Sequence, residues 1–257
     1  MHKDPRAEIA GERIVGAAPA GAAGEAAASD AVREMFTSIA PRYDLLNHVL
    51  SMNVDRLWWN RTARSFADIL RRPGAQVLDL CCGTGDMTFA LHRRMTGGDG
   101  GLFGADFSHA MLVRAEAKTG RRNIRWLEAD ALHLPFASGR FHLVTSAFGF
   151  RNLANYDRGL AEIHRVLASG GEMGILDFGE PKGLIGNIYR VYFRRVLPAI
   201  GTLISGVRGP YSYLPASVLR FPSPDEMLQR MREVGFLDVS WTPYTFGIAG
   251  LYRGRKR

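Results

Sequence analysis

Four residues that can recognise a ligand, Asp79, Gly83, Gly85 and Asp86, fall within the ten-residue stretch VLDLCCGTGD, residues 77–86. Two further acids, Asp106 and Asp130, each close a later apolar run. A glycine turn leaving a strand ordinarily cradles phosphate, because the backbone approaches closely and the next helix presents free N–H groups. Here the G-x-G-x-x-G form is incomplete, with Thr88 in the third glycine position. Asp86 also sets a negative charge where a pyrophosphate would lie, which is a direct electrostatic conflict. A cationic ligand without phosphate removes the conflict. S-adenosylmethionine, with its amine and sulfonium, is such a ligand. Asp79 and the carbonyls around Gly83 and Gly85 then meet its positive end. Asp106 can bridge two ribose hydroxyls, and Asp130 with the Ala131 amide can read an adenine edge.

Other chemistries have less to stand on. Cys81 and Cys82 are neighbours and the only cysteines, so they neither staple the fold nor complete a metal site. They read as small packing residues at a strand end. His109, His133 and His142 show no H-x-x-x-H spacing, and no metal is expected.

The elements that must position these residues alternate along the chain. Apolar runs at 76–80, 101–108, 124–130, 141–148 and 172–178 read as strands. Between and after them, 87–95, 109–119, 156–167 and 223–235 have helical spacing. Residues 236–246 and 248–257 read as an antiparallel pair at the end of the sheet. This order predicts an α/β fold, a doubly wound and mostly parallel Rossmann-like sheet with helices on both faces. Upstream, residues 1–28 are half Ala or Gly and read as a mobile tail, with a helix capped at Ser29-Asp30 running to Pro41. Residues 29–257 are expected to form one domain, with 29–72 as an N-terminal helical cap.

At 257 residues, with 46% apolar and 23% charged residues, the chain has the make-up of a globular protein. It shows neither an apolar run of membrane-spanning length nor a signal-peptide core, so a cytoplasmic location is expected. The net charge of +8 points to an anionic partner. From Pro181 to Pro224 there is no acid at all, while Lys182, Arg190, Arg194, Arg195, Arg208 and Arg220 are spread among aromatics. Leu184, Ile188, Tyr192 and Val196 recur four apart, giving one helical face. Such a segment suits either the anionic inner face of a membrane, bound peripherally, or ordinary packing on the core.

Taken together, RYDLLNHVLSMNVDRLWW, LDLCCGTGD, ADALHLPF, FGFRNLAN, RVLASGG and FPSPDEMLQRMREVGF resemble the ubiquinone/menaquinone-biosynthesis C-methyltransferases over about residues 29–257. That resemblance implies a class I S-adenosylmethionine-dependent methyltransferase fold with a seven-stranded sheet whose C-terminal strand is antiparallel. It implies transfer of a methyl group to a ring carbon of a prenylated quinol, most simply demethylmenaquinol. By position, Thr84, Asp106, Asp130 and Ala131 match the family's cofactor contacts, and Ala147 stands where some members carry a contacting serine. ILDFGEP and ASGG depart from the usual Leu-Glu-Phe-Ser and Lys-Pro-Gly-Gly forms.

Carbon attack on a sulfonium methyl needs an electron-rich ring, held in line and favoured as a phenolate. Tyr43, Asn47, Arg151 and Asn152, all within the family-specific motifs, are the candidates for that work. Arg151 either lowers the pKa of the ring hydroxyl or holds its own loop by an ion pair. A benzoquinol, a phospholipid amine or RNA are the alternative acceptors, and a cofactor-binding interaction protein without turnover is the reading of another class. No nucleic-acid partner is expected, since no recognised RNA-binding module is appended; a homodimer stays open.

Overall fold

The computed structural model describes residues 15–17, 19, 22–40, 53–179, 181, 186 and 209–257. Among the described residues, three helices precede the first strand: α1 (Glu25–Ile39), α2 (Val54–Ser65) and the single turn α3 (Ala67–Leu70). Then follow β1 (Gln76–Leu80), α4 (Asp86–His92), β2 (Gly101–Asp106), α5 (His109–Thr119), β3 (Ile124–Glu128) and β4 (Phe141–Ala147). A 3₁₀ turn at Phe150–Asn152 leads into α6 (Tyr156–Val166) and β5 (Leu167–Phe178). After α7 (Gly209–Arg220) and α8 (Pro224–Val234), the chain ends in β6 (Leu237–Tyr244) and β7 (Ala249–Arg255).

The seven strands form one sheet in the order β3-β2-β1-β4-β5-β7-β6. β1 to β5 pair in parallel, and β7 runs antiparallel between β5 and β6. This is the doubly wound sheet that the alternating strands and helices predict. The strand order reverses between β1 and β4, and a crevice opens at the carboxyl ends of strands there, where such sheets bind ligands.

Both faces of the sheet are covered. Leu78, Leu80, Phe103 and Val144 pack under Tyr156, Leu160 and Ile163 of α6. On the opposite face, Val77, Leu102 and Leu143 meet Trp58 and Ala63 of α2 and Met87 and Leu91 of α4. Each fully buried leucine of this kind contributes about 1.5–3 kcal/mol. α6 is fixed at its start by Asn155, whose side chain accepts from the Arg158 N–H at 3.0 Å. α8 begins in a capping box between Ser223 and Glu226, with Pro224 in the first turn, and stops at Gly235 in the left-handed region.

The N-terminal boundary differs from the sequence expectation. α1 starts at Glu25 rather than at Ser29, and Ala17 already donates its N–H to the Leu153 carbonyl at 2.7 Å. Composition misses this because the segment is held by contacts with residues more than a hundred positions away, not by its own apolar content. β5 also starts earlier than read, at Leu167, where that residue pairs with Phe141 before the register shifts. Tyr43, Asn47 and the stripe Leu184, Ile188, Tyr192, Val196 with Arg190, Arg194 and Arg195 lie outside the described residues. No helix among the described residues is long and apolar enough to cross a membrane.

Candidate active site

β1 runs into a turn in which Cys81, Gly83 and Gly85 all have positive φ, at 53°, 55° and 90°. The turn curls so that the Gly83 N–H donates to Asp106 Oδ2 at 2.8 Å, while the Ser108 N–H donates to Oδ1 at 2.9 Å. Asp106 is 6% exposed, and burial pushes its pKa up to about 6 against the backbone donors that favour ionisation. One strand over, Asp130 accepts from the Leu132 N–H at 2.9 Å and lies 3.3 Å from His133 Nδ1.

Asp106 and Asp130 line one pocket, which encloses about 670 Å³ of non-atom space, part of it open to solvent. Leu80, Met111, Leu132 and Phe148 give it apolar walls, Gly83, Ala131 and Ala147 also line it, and Ser29 and Phe36 of α1 close one side. On the wall after β4 stands Asn152, whose Oδ1 accepts from the Tyr213 hydroxyl at 3.2 Å. Gly149 completes that wall, because a Cβ there would lie 2.3 Å from Cys81 Cβ.

Among the described residues, Asp79, Thr84, Gly85, Asp86 and Arg151 were expected at the site and do not line this pocket. Asp79 is fully buried, accepting from Thr88 Oγ1 at 2.6 Å and Thr145 Oγ1 at 2.8 Å. Burial pushes its pKa up to about 7, with the charge of Asp106 adding a smaller upward push. It joins β1 to β4 and α4 on the sheet face away from the pocket. Thr84 is buried. Gly85 serves packing, since a Cβ there would lie 2.6 Å from the Trp126 ring. Arg151 is 6% exposed and paired with Asp177, its Nη1 donating to Oδ1 at 2.9 Å and its backbone N–H to Oδ2 at 3.1 Å. The same Nη1 donates to the Phe148 carbonyl, and the guanidinium lies over the Phe178 ring at 5.1 Å. Its buried Nε has no hydrogen-bond partner among the described residues. Asp86, expected to oppose a phosphate at the turn, lies 3.6 Å from Lys118 Nζ.

Sequence reasoning missed Ser29, Phe36, Phe107, Met111, Gly149 and Asp177. Asp177 was findable, because it nears the end of β5 as Asp106 ends β2. Gly149 lay inside the quoted FGFRN motif. The α1 residues carried no local signal, since their place depends on how the helix docks.

The donor set decides which ligands suit the pocket. Two carboxylates line it, and no Lys, Arg or His is among the described lining residues. That described lining favours cations and hydroxyl or amine donors over phosphate. A carboxylate has about four acceptor positions, and by geometry Asp106 spends two on backbone amides, so it keeps room for hydroxyl donors. An adenosyl sulfonium fits these residues.

Residues 24–256 match the model of the ubiE/COQ5 methyltransferase family. The chain belongs to that family. Among its members, the demethylmenaquinone methyltransferase of Deinococcus radiodurans is 49% identical over 230 residues, covering 88% of this chain and 93% of that protein. The ubiquinone/menaquinone biosynthesis C-methyltransferase UbiE of Geobacter sulfurreducens is 42% identical over 232 residues, covering 88% of each. In fold, the chain resembles a solved S-adenosylmethionine-dependent methyltransferase of Thermotoga maritima, a possible histamine N-methyltransferase, with a TM-score of 0.62 and 17% identity. That likeness covers 88% of this chain and 100% of the other. The sheet described above is thus that of a class I S-adenosylmethionine-dependent methyltransferase fold.

Proposed function

We propose that this chain transfers a methyl group from S-adenosylmethionine to a ring carbon of a prenylated quinol of the demethylmenaquinol type. One observation carries the reading: Asp106 at the end of β2, Asp130 just after β3 and Asn152 of the FGFRN loop share a single pocket that lacks a cationic side chain among its described lining residues. In this reading Asp106 accepts from the ribose hydroxyls, and Asp130 with the Ala131 N–H recognises the adenine edge. Gly83 and Ala147 allow the close approach of the ligand, and the turn through Thr84 and Gly85 holds Gly83 in place. The bound cofactor supplies an electrophilic methyl.

The chain's own residues then have to present the quinol ring and favour its phenolate. Asn152, held by the Tyr213 hydroxyl, orients a ring hydroxyl. Arg151 contributes positive charge from behind the wall, reduced by its pairing with Asp177. Tyr43 and Asn47 belong to the same proposed site. Water is kept from the ring by Phe36 and Phe148. The basic stretch 182–220 rests on an anionic membrane surface from the cytoplasmic side, admitting the prenyl tail, and a homodimer is compatible with this arrangement.

The test uses the purified chain with methyl-labelled S-adenosylmethionine, offered demethylmenaquinol, a demethylated benzoquinol, phosphatidylethanolamine and RNA side by side. Label should enter the naphthoquinol ring first. Label in RNA or phospholipid, or cofactor binding without any turnover, would sink the reading. Arg151→Lys keeps the charge and loses the planar fork, so turnover should fall at least about tenfold with cofactor affinity held. Full turnover in Arg151→Ala would make Arg151 a loop anchor only.

A further inference from the structure

Glu25 is an acid in an alanine-rich stretch, yet it is only 4% exposed. Its Oε2 accepts from Arg158 Nη1 at 2.7 Å and its Oε1 from Asn155 Nδ2 at 2.6 Å. The other end of the Arg158 fork lies 2.5 Å from His133 Nε2, and His133 Nδ1 lies 3.3 Å from Asp130 Oδ2. A guanidinium only donates, so Nε2 must be the accepting nitrogen. The imidazole proton is then on Nδ1, directed at Asp130. Each link has a donor facing an acceptor, from α1 through α6 to the acid that lines the pocket.

The helix fastened by this chain forms part of the pocket. Ser29 and Phe36 line the cavity, Thr37 Oγ1 lies 3.1 Å from Ser108 Oγ, and Arg33 sits over the Phe107 ring at 5.7 Å. Ahead of it, Ala17 is tied to the carbonyl of Leu153, another lining residue. Contacts of α1 therefore reach the pocket at both of its acids: Glu25 acts toward Asp130, and Thr37 toward the Ser108 that donates to Asp106.

We propose that Glu25, Arg158 and His133 are positioning residues of the cofactor pocket, forming a chain that fastens α1 over the cavity and orients Asp130. Docking of α1 and binding of the adenosyl ligand are then one coupled equilibrium, with the coupling equal in both directions. The proposal rests on the reading of this pocket as the S-adenosylmethionine site. It adds a cover whose docking is coupled to exchange of cofactor and product.

The experiment uses the full chain, with S-adenosylhomocysteine as the probe for calorimetry and for amide hydrogen exchange. In the wild-type chain, the probe should slow exchange across residues 25–40. Glu25→Gln keeps the shape and loses the ion pair, so the probe should bind about tenfold more weakly, with kcat at saturating cofactor within about twofold. Arg158→Lys should behave likewise, and His133→Gln, which leaves the Glu25–Arg158 pair intact, should cost about threefold. Arg230→Ala breaks an ion pair to Asp157 of 2.7 Å on the same helix α6 and should leave affinity unchanged. Wild-type affinity in Glu25→Gln and Arg158→Lys, or exchange in 25–40 indifferent to the probe, would overturn the latch. Lower melting temperatures in Glu25→Gln and Arg230→Ala alike, with affinity unchanged, would make the pair a structural tie and also overturn it. If the wild-type chain does not bind the probe at all, the reading of the pocket fails first and the latch falls with it.

Discussion

The ends of β1 and β2 lie side by side, Leu80 paired with Ala105, and each carries a buried aspartate that accepts two short hydrogen bonds. The donors differ. Asp79 takes both from side-chain hydroxyls, on α4 and β4, and so ties three elements together beneath the sheet. Asp106 takes both from backbone amides of the turns that follow β1 and β2, and it lines the pocket. Burial raises both pKa values, to about 7 and about 6. A carboxylate braced by hydroxyls can give up its charge and keep its partners, because a hydroxyl also accepts. A carboxylate held by N–H groups cannot do so without losing an acceptor. The first arrangement suits a structural acid and the second a ligand-binding one.

The largest separation between the two should appear in stability against pH. A carboxyl whose folded pKa is raised adds stability that is fully present below its unfolded value of 3.8. That contribution is lost as pH rises through about 7. Between pH 5 and pH 8, wild type should therefore lose on the order of 2–3 kcal/mol relative to Asp79→Asn, which has no charge to bury. Urea midpoints at the two pH values measure this, and parallel behaviour of the two chains would break the comparison. Cofactor affinity in Asp79→Asn should stay within about threefold of wild type.

Asp106→Ala should do the reverse. Loss of charge-assisted bonds to the ribose should weaken S-adenosylmethionine by about 1.5–3 kcal/mol, or roughly ten- to a hundredfold. Calorimetry on the folded variant decides it, and an unchanged affinity would remove Asp106 from the site. Ser223→Ala gives the smallest effect. Breaking the capping box of α8 should cost about 1 kcal/mol in chemical denaturation and leave affinity alone, since neither Ser223 nor Glu226 lines the pocket. A change in affinity there would show that stability and binding are not separable in this chain, and the contrast between Asp79 and Asp106 would lose its meaning.

Much of this molecule was legible from local pattern. Strand and helix periods, the antiparallel ending and the acid Asp106 that closes β2 all follow from residues near one another in the chain. So does the family, because its motifs are short contiguous stretches. The face on which Asp79 lies was not legible. β1 is buried on both sides, so QVLDL reads as one apolar run whose alternation is hidden. Only the packing of α4 and β4 around it made Asp79 a brace. For Arg151 the motif left both a cation for the ring and a loop-holding ion pair open, because its partner Asp177 lies 26 residues on, at the end of another strand. Glu25 is the extreme case. Its Ala-rich surroundings predict a tail, and its partners Asn155 and Arg158 stand 130 and 133 residues away. Composition measures what a segment can bury by itself; the cover over the pocket depends on charges that meet only when the sheet has formed.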